Sequence, residues 1–226
     1  MVTKEECLRI IRELMRKYAE RYGLKPVEKP YITPTRVDLE TRELIYSPEL
    51  LCQWFVEYLS KEDIDLETFV NAITLHESKH IELRDYVEKK CPFAKAFNPI
   101  VRSWVEDAYI NERLPETKKR VFKAQEKYAT TAVRSRYLRD VLQLHMYLDK
   151  LLNDTIAGRS KEALSIYLSI LSAMTDDDIE KFLLKDTIHE FVRKQVNLAL
   201  EKSKVDVCEG YKEFDKLCKM LNLPCY

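Results

Sequence analysis

Apolar residues recur at helical spacing along most of this chain, and the recurrence predicts a largely α-helical protein. Residues 4–22 show the pattern most clearly, and Gly23 follows as a C-terminal stop. Ser47-Pro48, Asp65 and Asn98-Pro99 are typical N-terminal caps, and Pro115 ends the helix that Asn98 begins. The predicted helices cover residues 4–22, 48–59, 66–87, 99–114, 117–127, 132–153, 160–173, 177–201 and 209–221.

One segment departs from the helical pattern, between residues 24 and 47. Three prolines, Pro26, Pro30 and Pro34, interrupt any helix there. Apolar and charged residues alternate after Pro34, and the segment ends in three consecutive apolar residues at 44–46. This pattern predicts an irregular β-hairpin over residues 35–46. The predicted fold class is therefore mostly α with a small β element, an α+β arrangement, with a core at 1–116 and a C-terminal helical region at 117–226.

Charge and glycine content exclude several functions. The 38 Lys and Arg residues balance 38 Asp and Glu residues, which argues against nucleic acid or an anionic membrane as the main partner. The three glycines are scattered singly, so neither a P-loop nor a dinucleotide-binding fingerprint is present. Charged residues make up 34% of the chain, and abundant Lys and Glu with few Gln and Asn are typical of a thermophile.

The expected location is the cytoplasm. Acidic residues near the N-terminus do not resemble a signal peptide, and the most apolar stretch, 164–174, is too short to cross a membrane. The six cysteines contain no Cys-x-x-Cys pair. We expect free, buried thiols, with a disulfide among Cys208, Cys218 and Cys225 as the alternative in a thermophile.

The helix beginning near Leu66 carries His76-Glu77-Ser78-Lys79-His80, an HExxH motif. His76 and His80 lie one turn apart on a single helical face, so both imidazoles can reach one zinc ion. Glu77 lies beside them, where it can accept a proton from water bound to the metal. The same face carries apolar residues and is therefore buried, which also suits two ordinary core histidines. Two stacked buried imidazoles need polar partners, and a metal supplies them whereas an apolar core does not.

The third ligand is expected to be a carboxylate on a later helix, because no histidine follows at short spacing. Asp107 and Glu106 are the candidates. With Ile100 as zero, the apolar side of that helix centres near ~60°, Asp107 lies near ~340° and Glu106 near ~240°. Asp107 is therefore predicted to point inward as the ligand, and Glu106 to point outward. Asn111, one turn after Asp107, is expected to hydrogen-bond a ligand histidine.

These residues resemble the gluzincin clan of zinc metallopeptidases, over roughly residues 35–114. The similarity is greatest to small, minimal members and to predicted metallopeptidase domains with an Asp-x-x-Ile-Asn-like ligand helix. It implies a zincin-like core, a zinc cofactor, Asp107 as ligand and Asn111 as its companion. It also implies a short sheet before the HExxH helix, here 35–46, whose edge binds an extended peptide. The usual ligand is Glu, which keeps Glu106 open, and a His or Tyr commonly polarises the scissile carbonyl; His145, Tyr109 and Tyr147 are candidates by residue type.

The predicted function is therefore a zinc-dependent peptidase acting on peptide or protein substrates, active or latent. One alternative is a non-catalytic helical protein that binds metal or a partner, since the C-terminal helices exceed what a minimal peptidase needs and could form a recognition lobe, an oligomer interface or a cover over the site. A less favoured alternative is a di-iron carboxylate protein, which would combine Glu77-x-x-His80 with Asp186-x-x-His189.

Overall fold

The computed structural model describes residues 3–31, 33–160, 162–223 and 225–226, and these residues form a mostly α-helical protein with one small sheet. The predicted fold class is confirmed. The helices of the described residues are α1 (Lys4–Arg21), α2 (Pro48–Glu57), α3 (Leu66–Lys90), α4 (Pro99–Arg113), α5 (Glu116–Tyr137), α6 (Val141–Ile156), α7 (Ala163–Ser172), α8 (Asp176–Lys181), α9 (Ile188–Val205) and α10 (Val207–Leu221). The strands are β1 (Lys25–Glu28), β2 (Thr35–Val37) and β3 (Glu43–Tyr46).

Side-chain caps set the beginnings of the helices that matter for the site. The Ser47 hydroxyl accepts from the Leu50 amide at the start of α2. The Asp65 carboxylate accepts from the Thr68 amide at 2.6 Å, before α3. The Asn98 side chain accepts from the Val101 amide at 3.1 Å, before α4. Each cap satisfies a backbone donor that has no partner within the helix, and the starts of α2, α3 and α4 lie where the sequence predicts them.

The sheet contains the predicted hairpin and one further strand. Its order is β1-β3-β2, with β2 antiparallel to β3 and β1 parallel to it. The amides of Lys25 and Lys29 donate to the carbonyls of Arg42 and Tyr46, so the intervening Pro26 lies where its missing N–H would point away from the sheet. Strand β1 is not apparent from the sequence, because three prolines in its segment indicate only the absence of a helix and its parallel partner β3 is distant in sequence.

The chain divides into two compact units. Unit 1 comprises Met1–Lys89 and Ile110–Glu126, and unit 2 comprises Lys90–Tyr109 and Lys127–Tyr226. The chain thus passes between units at three points, and the boundary expected after residue 116 stays a prediction. Unit 1 has α1, α2, the sheet and α3 around a core that includes Ile11, Met15, Leu44, Leu51 and Phe69. The largest fully buried side chains of unit 2 include Tyr167, Phe182, Tyr211 and Phe214.

All six cysteines are paired, so the expectation of free thiols was wrong. The disulfides are Cys7–Cys52, Cys91–Cys208 and Cys218–Cys225. The first two join cysteines separated by 45 and 117 residues. Such long separations leave no local signal, whereas the third pair lies within the C-terminal cluster that the sequence singled out as the alternative.

The predicted helix at 177–201 is interrupted. Leu183 and Asp186 adopt left-handed backbone conformations between α8 and α9. The Thr187 side chain then caps α9 by accepting from the Glu190 amide. Among the described residues, no helix combines the length and apolar character that a membrane crossing requires.

Candidate metal centre

Helix α3 holds the HExxH motif on its buried side. Phe69, Val70 and Ile73 are buried in the core of unit 1, and His76 and Glu77 follow on the same helix with 8% of each residue exposed. His80 is half-buried. The apolar residues fix the rotation of α3 about its axis, and the motif is directed inward as a consequence. This arrangement agrees with the prediction from helical spacing.

The two histidine rings converge through the atoms that would bind a metal. The Nε2 atoms of His76 and His80 lie 3.1 Å apart, and the ring centroids lie 4.9 Å apart. Two nitrogen ligands of a tetrahedral zinc ion, each about 2.0–2.1 Å from the metal, are separated by roughly 3.3 Å. The observed spacing is therefore close to the one that a shared ion requires.

Asn111, in the last turn of α4, holds His76 in the orientation suited to a ligand. The Asn111 Oδ1 atom lies 2.9 Å from His76 Nδ1. Because a carbonyl oxygen only accepts, Nδ1 carries the proton and Nε2 keeps its lone pair. In the hydrogen bond between the two Nε2 atoms, His80 is then the donor. The predicted hydrogen bond between Asn111 and a histidine of the motif is therefore present, and its role beside a metal stays a prediction.

Asp107 completes a three-residue cluster. One ligand atom each from His76, His80 and Asp107 lie within 4.8 Å of one another, and this is the one such group of His, Cys, Asp or Glu among the described residues. Helix α4 contributes its early residues to unit 2 and its last turn to unit 1, and Asn111 in that turn binds His76. The Ser103 hydroxyl, one turn before Asp107, donates to Asp107 Oδ2 at 3.0 Å.

The residues present fit a zinc ion. Two imidazoles and one carboxylate are the protein ligands of one common type of catalytic zinc site, which keeps a fourth position open. One histidine is oriented by an amide oxygen and the carboxylate by a hydroxyl, which is the usual environment of metal ligands. Hard-cation sites for calcium or magnesium use oxygen donors instead, and this donor set does not suit them.

Glu77 differs from the other acidic residues of α3. It is 8% exposed, and in the described part of the chain no hydrogen bond or ion pair reaches its carboxylate. Glu82, on the same helix, forms an ordinary exposed pair with Lys79. The Glu77 oxygens are not among the fully enclosed side-chain atoms that lack a hydrogen bond in the described residues, so water can reach them. Glu77 is thus available to exchange a proton beside the histidines.

Glu106 corrects the orientation that the sequence analysis predicted. It is not outward: it is 7% exposed, and its Oε1 accepts from the Tyr211 hydroxyl at 2.6 Å. Arg102 lies one turn earlier, 3.4 Å from the same oxygen. The prediction took the apolar residues of α4 as the only buried face of the helix. Glu106 lies on another face, which is buried because Tyr211 and Arg102 contact it. Asp107, half-buried, belongs to the metal cluster and Glu106 does not.

The candidate carbonyl-polarising residues have other surroundings. His145 belongs to unit 2, and its Nε2 lies 2.6 Å from the Phe182 carbonyl oxygen. Tyr147, also in unit 2, stacks on Tyr137. Tyr109 lies two residues after Asp107 on α4, and side chains at that spacing do not face each other. His145 is not one of the three residues of the described metal cluster.

His189, which the di-iron alternative would need as a ligand, is already hydrogen-bonded at both ring nitrogens. Nδ1 lies 2.8 Å from the Tyr167 hydroxyl and Nε2 lies 3.0 Å from Asp149 Oδ1. A second metal half-site at Asp186 and His189 is therefore not favoured.

The sequence analysis missed two residues that contact the candidate ligands. Ser103 binds Asp107, and its position four residues before the ligand was a usable signal, since such pairs meet on a helix. The Phe122 ring, on α5, lies against His76 with 4.9 Å between ring centroids. No sequence pattern connects Phe122 to His76, because their contact depends on how α5 packs.

Comparisons with protein-family models, with curated proteins and with solved structures found no match to this chain. The gluzincin resemblance therefore depends on the motif, the ligand helix and their geometry.

Proposed function

We propose that this protein is a zinc-dependent peptidase of gluzincin-like type, with His76, His80 and Asp107 as the ligands. The single observation that carries the proposal is the convergence of these three side chains beside an unpartnered, buried Glu77. A pair of core histidines does not account for a carboxylate within ligand distance of both. The Asn111 hydrogen bond is consistent with the same proposal, because it places the His76 proton on Nδ1 and directs the Nε2 lone pair toward His80.

The chemistry follows from the donor set. Zinc bound by these residues would supply a Lewis acid that polarises a peptide carbonyl and lowers the pKa of water to about 7. Glu77 accepts the proton of the attacking water and passes it to the leaving amine. Asn111 and Ser103 hold one imidazole and the carboxylate in place, so that neither has to reorganise during the reaction.

The substrate in this proposal is an extended peptide that adds a strand to the hairpin edge. In the β1-β3-β2 order, β2 is the outer strand of the hairpin, and its free edge can pair with a peptide backbone. The hairpin is tied to the HExxH helix, because Arg84 of α3 donates to the Leu39 carbonyl at 2.9 Å. This contact within unit 1 favours a hairpin of fixed position relative to His76 and His80.

We further propose a cytoplasmic location in a thermophile. Disulfides are rare in the cytosol of mesophiles, whereas intracellular proteins of hyperthermophiles are a known exception. Fractionation of source cells tests the location: the proposal requires the protein in the cytoplasmic fraction.

Metal analysis and peptide hydrolysis test the function together. Purified protein should contain one zinc per chain, and hydrolysis of a peptide library should stop with a chelator and return with zinc. His76→Ala and His80→Ala should each lose stoichiometric zinc, since two ligands do not hold the ion tightly. Glu77→Gln should retain zinc and lose hydrolysis by orders of magnitude, because an amide does not accept the proton.

Glu82→Gln is the matched control, as it makes the same substitution on the exposed side of the same helix. It should keep both zinc and activity. Stoichiometric zinc without hydrolysis in any chelator-sensitive assay would favour the non-catalytic metal-binding alternative. Full turnover in Glu77→Gln would contradict the mechanism, and paired iron would favour the di-iron protein.

A further inference from the structure

Glu106 is a buried carboxylate that the metal cluster does not use. The Tyr211 hydroxyl of α10 donates to Glu106 Oε1 at 2.6 Å, and the Arg102 guanidinium lies 3.4 Å from the same oxygen. Tyr211 is fully buried, and both this burial and the neighbouring carboxylate raise the pKa of its hydroxyl. The Tyr211 hydroxyl is therefore protonated at neutral pH, and its hydrogen bond to Glu106 joins α10 to α4.

The beginning of α4 also contacts a residue that is linked to α10. The Asn98 amide donates to the Cys225 carbonyl at 2.7 Å, and the Cys218–Cys225 disulfide joins Cys225 to α10. The Phe97 ring packs against both Tyr211 and Tyr226, with centroid distances of 5.4 and 5.2 Å. All of these residues belong to unit 2. Helix α4 is therefore contacted at two points along its length, by Tyr211 at Glu106 and by Cys225 at Asn98.

These contacts fix the rotation of α4 about its own axis. Glu106 and Asp107 are consecutive, so their side chains leave the helix about 100° apart and any rotation of one is shared by the other. A rotation of about 20° would move a carboxylate about 5 Å from the axis by roughly 2 Å. A metal site tolerates displacements of only about 0.5 Å before binding weakens.

We propose that Glu106 and Tyr211 are positioning residues for the metal centre: their hydrogen bond sets the rotation of α4 and thereby delivers the Asp107 carboxylate to His76 and His80. Glu106 acts through the helix and does not bind the ion. This inference rests on the proposed metal function of Asp107, and it gives the C-terminal helix α10 a role in the site.

The test compares two buried tyrosines of unit 2. Tyr211→Phe removes the hydroxyl that binds Glu106, and Tyr167→Phe removes a hydroxyl that binds His189, remote from α4 in its contacts. Zinc affinity is measured by competition with a chromophoric chelator, and Co²⁺ is substituted to record its visible absorption spectrum. Tyr211→Phe should weaken zinc about tenfold, at the lower end of effects of outer hydrogen-bond partners, and should change the Co²⁺ spectrum. Tyr167→Phe should leave both unchanged.

Two substitutions at Glu106 separate positioning from general stability. In Glu106→Gln the amide oxygen still accepts from Tyr211, so zinc affinity should stay close to that of the parent. In Glu106→Ala the acceptor is lost, and affinity should fall as far as in Tyr211→Phe or further. Thermal melts of the metal-free variants show whether each is folded before zinc is added. A Co²⁺ spectrum is sensitive to ligand geometry, which a loss of global stability alone does not change.

An unchanged zinc affinity and Co²⁺ spectrum in folded Tyr211→Phe, with tight zinc binding by the parent, would overturn the inference and leave the proposed function intact. An equal loss in Tyr167→Phe would also overturn it, because the effect would then be general. If the parent binds no metal, the proposed function fails instead. Hydrogen exchange of residues 99–113 then tests whether the Tyr211–Glu106 hydrogen bond restrains α4. Faster exchange in Tyr211→Phe alone supports this restraint, and equal exchange in Tyr211→Phe and Tyr167→Phe overturns it.

Discussion

Two consecutive carboxylates of α4, Glu106 and Asp107, have different surroundings and therefore different proposed roles. Asp107 is half-buried, accepts a hydrogen bond from the Ser103 hydroxyl and belongs to the cluster with the imidazoles of His76 and His80. Glu106 is buried against a phenol and a guanidinium. The extra methylene of Glu lets it reach α10, while the shorter Asp stays close to its own helix. In the proposed gluzincin-like site, Asp107 is therefore the ligand in place of Glu106, which is hydrogen-bonded to Tyr211.

The first prediction concerns Asn111. Asn111→Ala removes the acceptor for His76 Nδ1 and should weaken zinc by about 10- to 100-fold, because the ring then loses both its tautomer preference and its orientation. The measurement is a zinc competition titration. Asn71→Ala is the control: Asn71 lies on α3, and its Oδ1 accepts from the Tyr22 hydroxyl at 2.6 Å. Equal zinc affinities in the two variants would contradict a role of Asn111 in ligand orientation.

His189 is a second histidine whose surroundings determine its behaviour. It is 2% exposed, and the hydroxyl of Tyr167 and the carboxylate of Asp149 face its two nitrogens. Burial lowers the pKa of His189, and the nearby His145 lowers it further, while Asp149 acts in the opposite direction. The folded protein therefore resists protonating this ring more than the unfolded chain does.

The second prediction follows from that direction. Below about pH 6.5, the ordinary pKa of histidine, the unfolded chain takes up a proton at position 189 and the folded state does not. The contribution of His189 to the free energy of unfolding should therefore become less favourable as the pH falls from about 6.5 toward the lowered folded pKa. Urea unfolding of the metal-free protein between about pH 7.5 and 5.5, one unit either side of that value, measures it. His189→Gln should show a shallower decline than the parent; parallel curves would contradict the assignment.

At the scale of elements, local sequence signals predicted most helix positions. Ser47, Asp65 and Asn98 each marked a helix start because a cap is a contact between near neighbours in sequence. The HExxH face was predictable for the same reason. The division of 177–201 into two helices was not predictable, because Leu183 adopts a left-handed conformation that leucine does not ordinarily favour. Strand β1 was missed because its pairing partner lies elsewhere in the chain.

The third prediction concerns the packing of α9 against α10. A Cβ atom on Gly210 would lie 1.8 Å from Ser203 Oγ and 3.0 Å from Ser203 Cα. Gly210→Ala should therefore destabilise the protein by about 1–3 kcal/mol through overpacking, despite the higher helix propensity of Ala. Chemical denaturation measures the loss.

Ser203→Gly supplies the compensating change, since it removes the two side-chain atoms nearest the new methyl group. In a double-mutant cycle, Gly210→Ala should cost less in the Ser203→Gly background than in the parent. Strict additivity of the two substitutions would show that close approach of the helices at this point is not the cause.

For the whole molecule, sequence reasoning reached the candidate ligands but not the contacts between distant segments. His76, His80 and Asp107 were identified because two lie on one helix and the third follows in a recognisable helix pattern. The burial of Glu106 by Tyr211 joins residues 105 positions apart, and no periodicity within α4 reports it. The Cys7–Cys52 and Cys91–Cys208 disulfides were missed for the same reason. Long-range contacts are set by how helices pack, and a single sequence contains little direct record of that packing.

The last prediction concerns how the three disulfides contribute to global stability. They close loops with sequence separations of 45, 117 and 7 residues. If a cross-link acts mainly by restricting the unfolded chain, removing each should cost about 4, 5 and 2 kcal/mol respectively. The double Cys→Ser variants at Cys7 and Cys52, Cys91 and Cys208, and Cys218 and Cys225 test the order by urea unfolding of metal-free protein. The Cys91–Cys208 pair should matter most and the Cys218–Cys225 pair least for the free energy of unfolding.

The same three variants separate global from local effects. Removal of the short Cys218–Cys225 link should reduce the free energy of unfolding the least. This link nevertheless fixes Cys225, whose carbonyl accepts a hydrogen bond from the Asn98 amide at the start of α4. Its loss should therefore weaken zinc binding more than the loss of the Cys7–Cys52 link, which joins α1 to α2 within unit 1. Unfolding and zinc titration should thus rank these two links in opposite orders. Identical rankings would mean that the C-terminal link acts only on the unfolded chain, and not on the helix that carries Asp107.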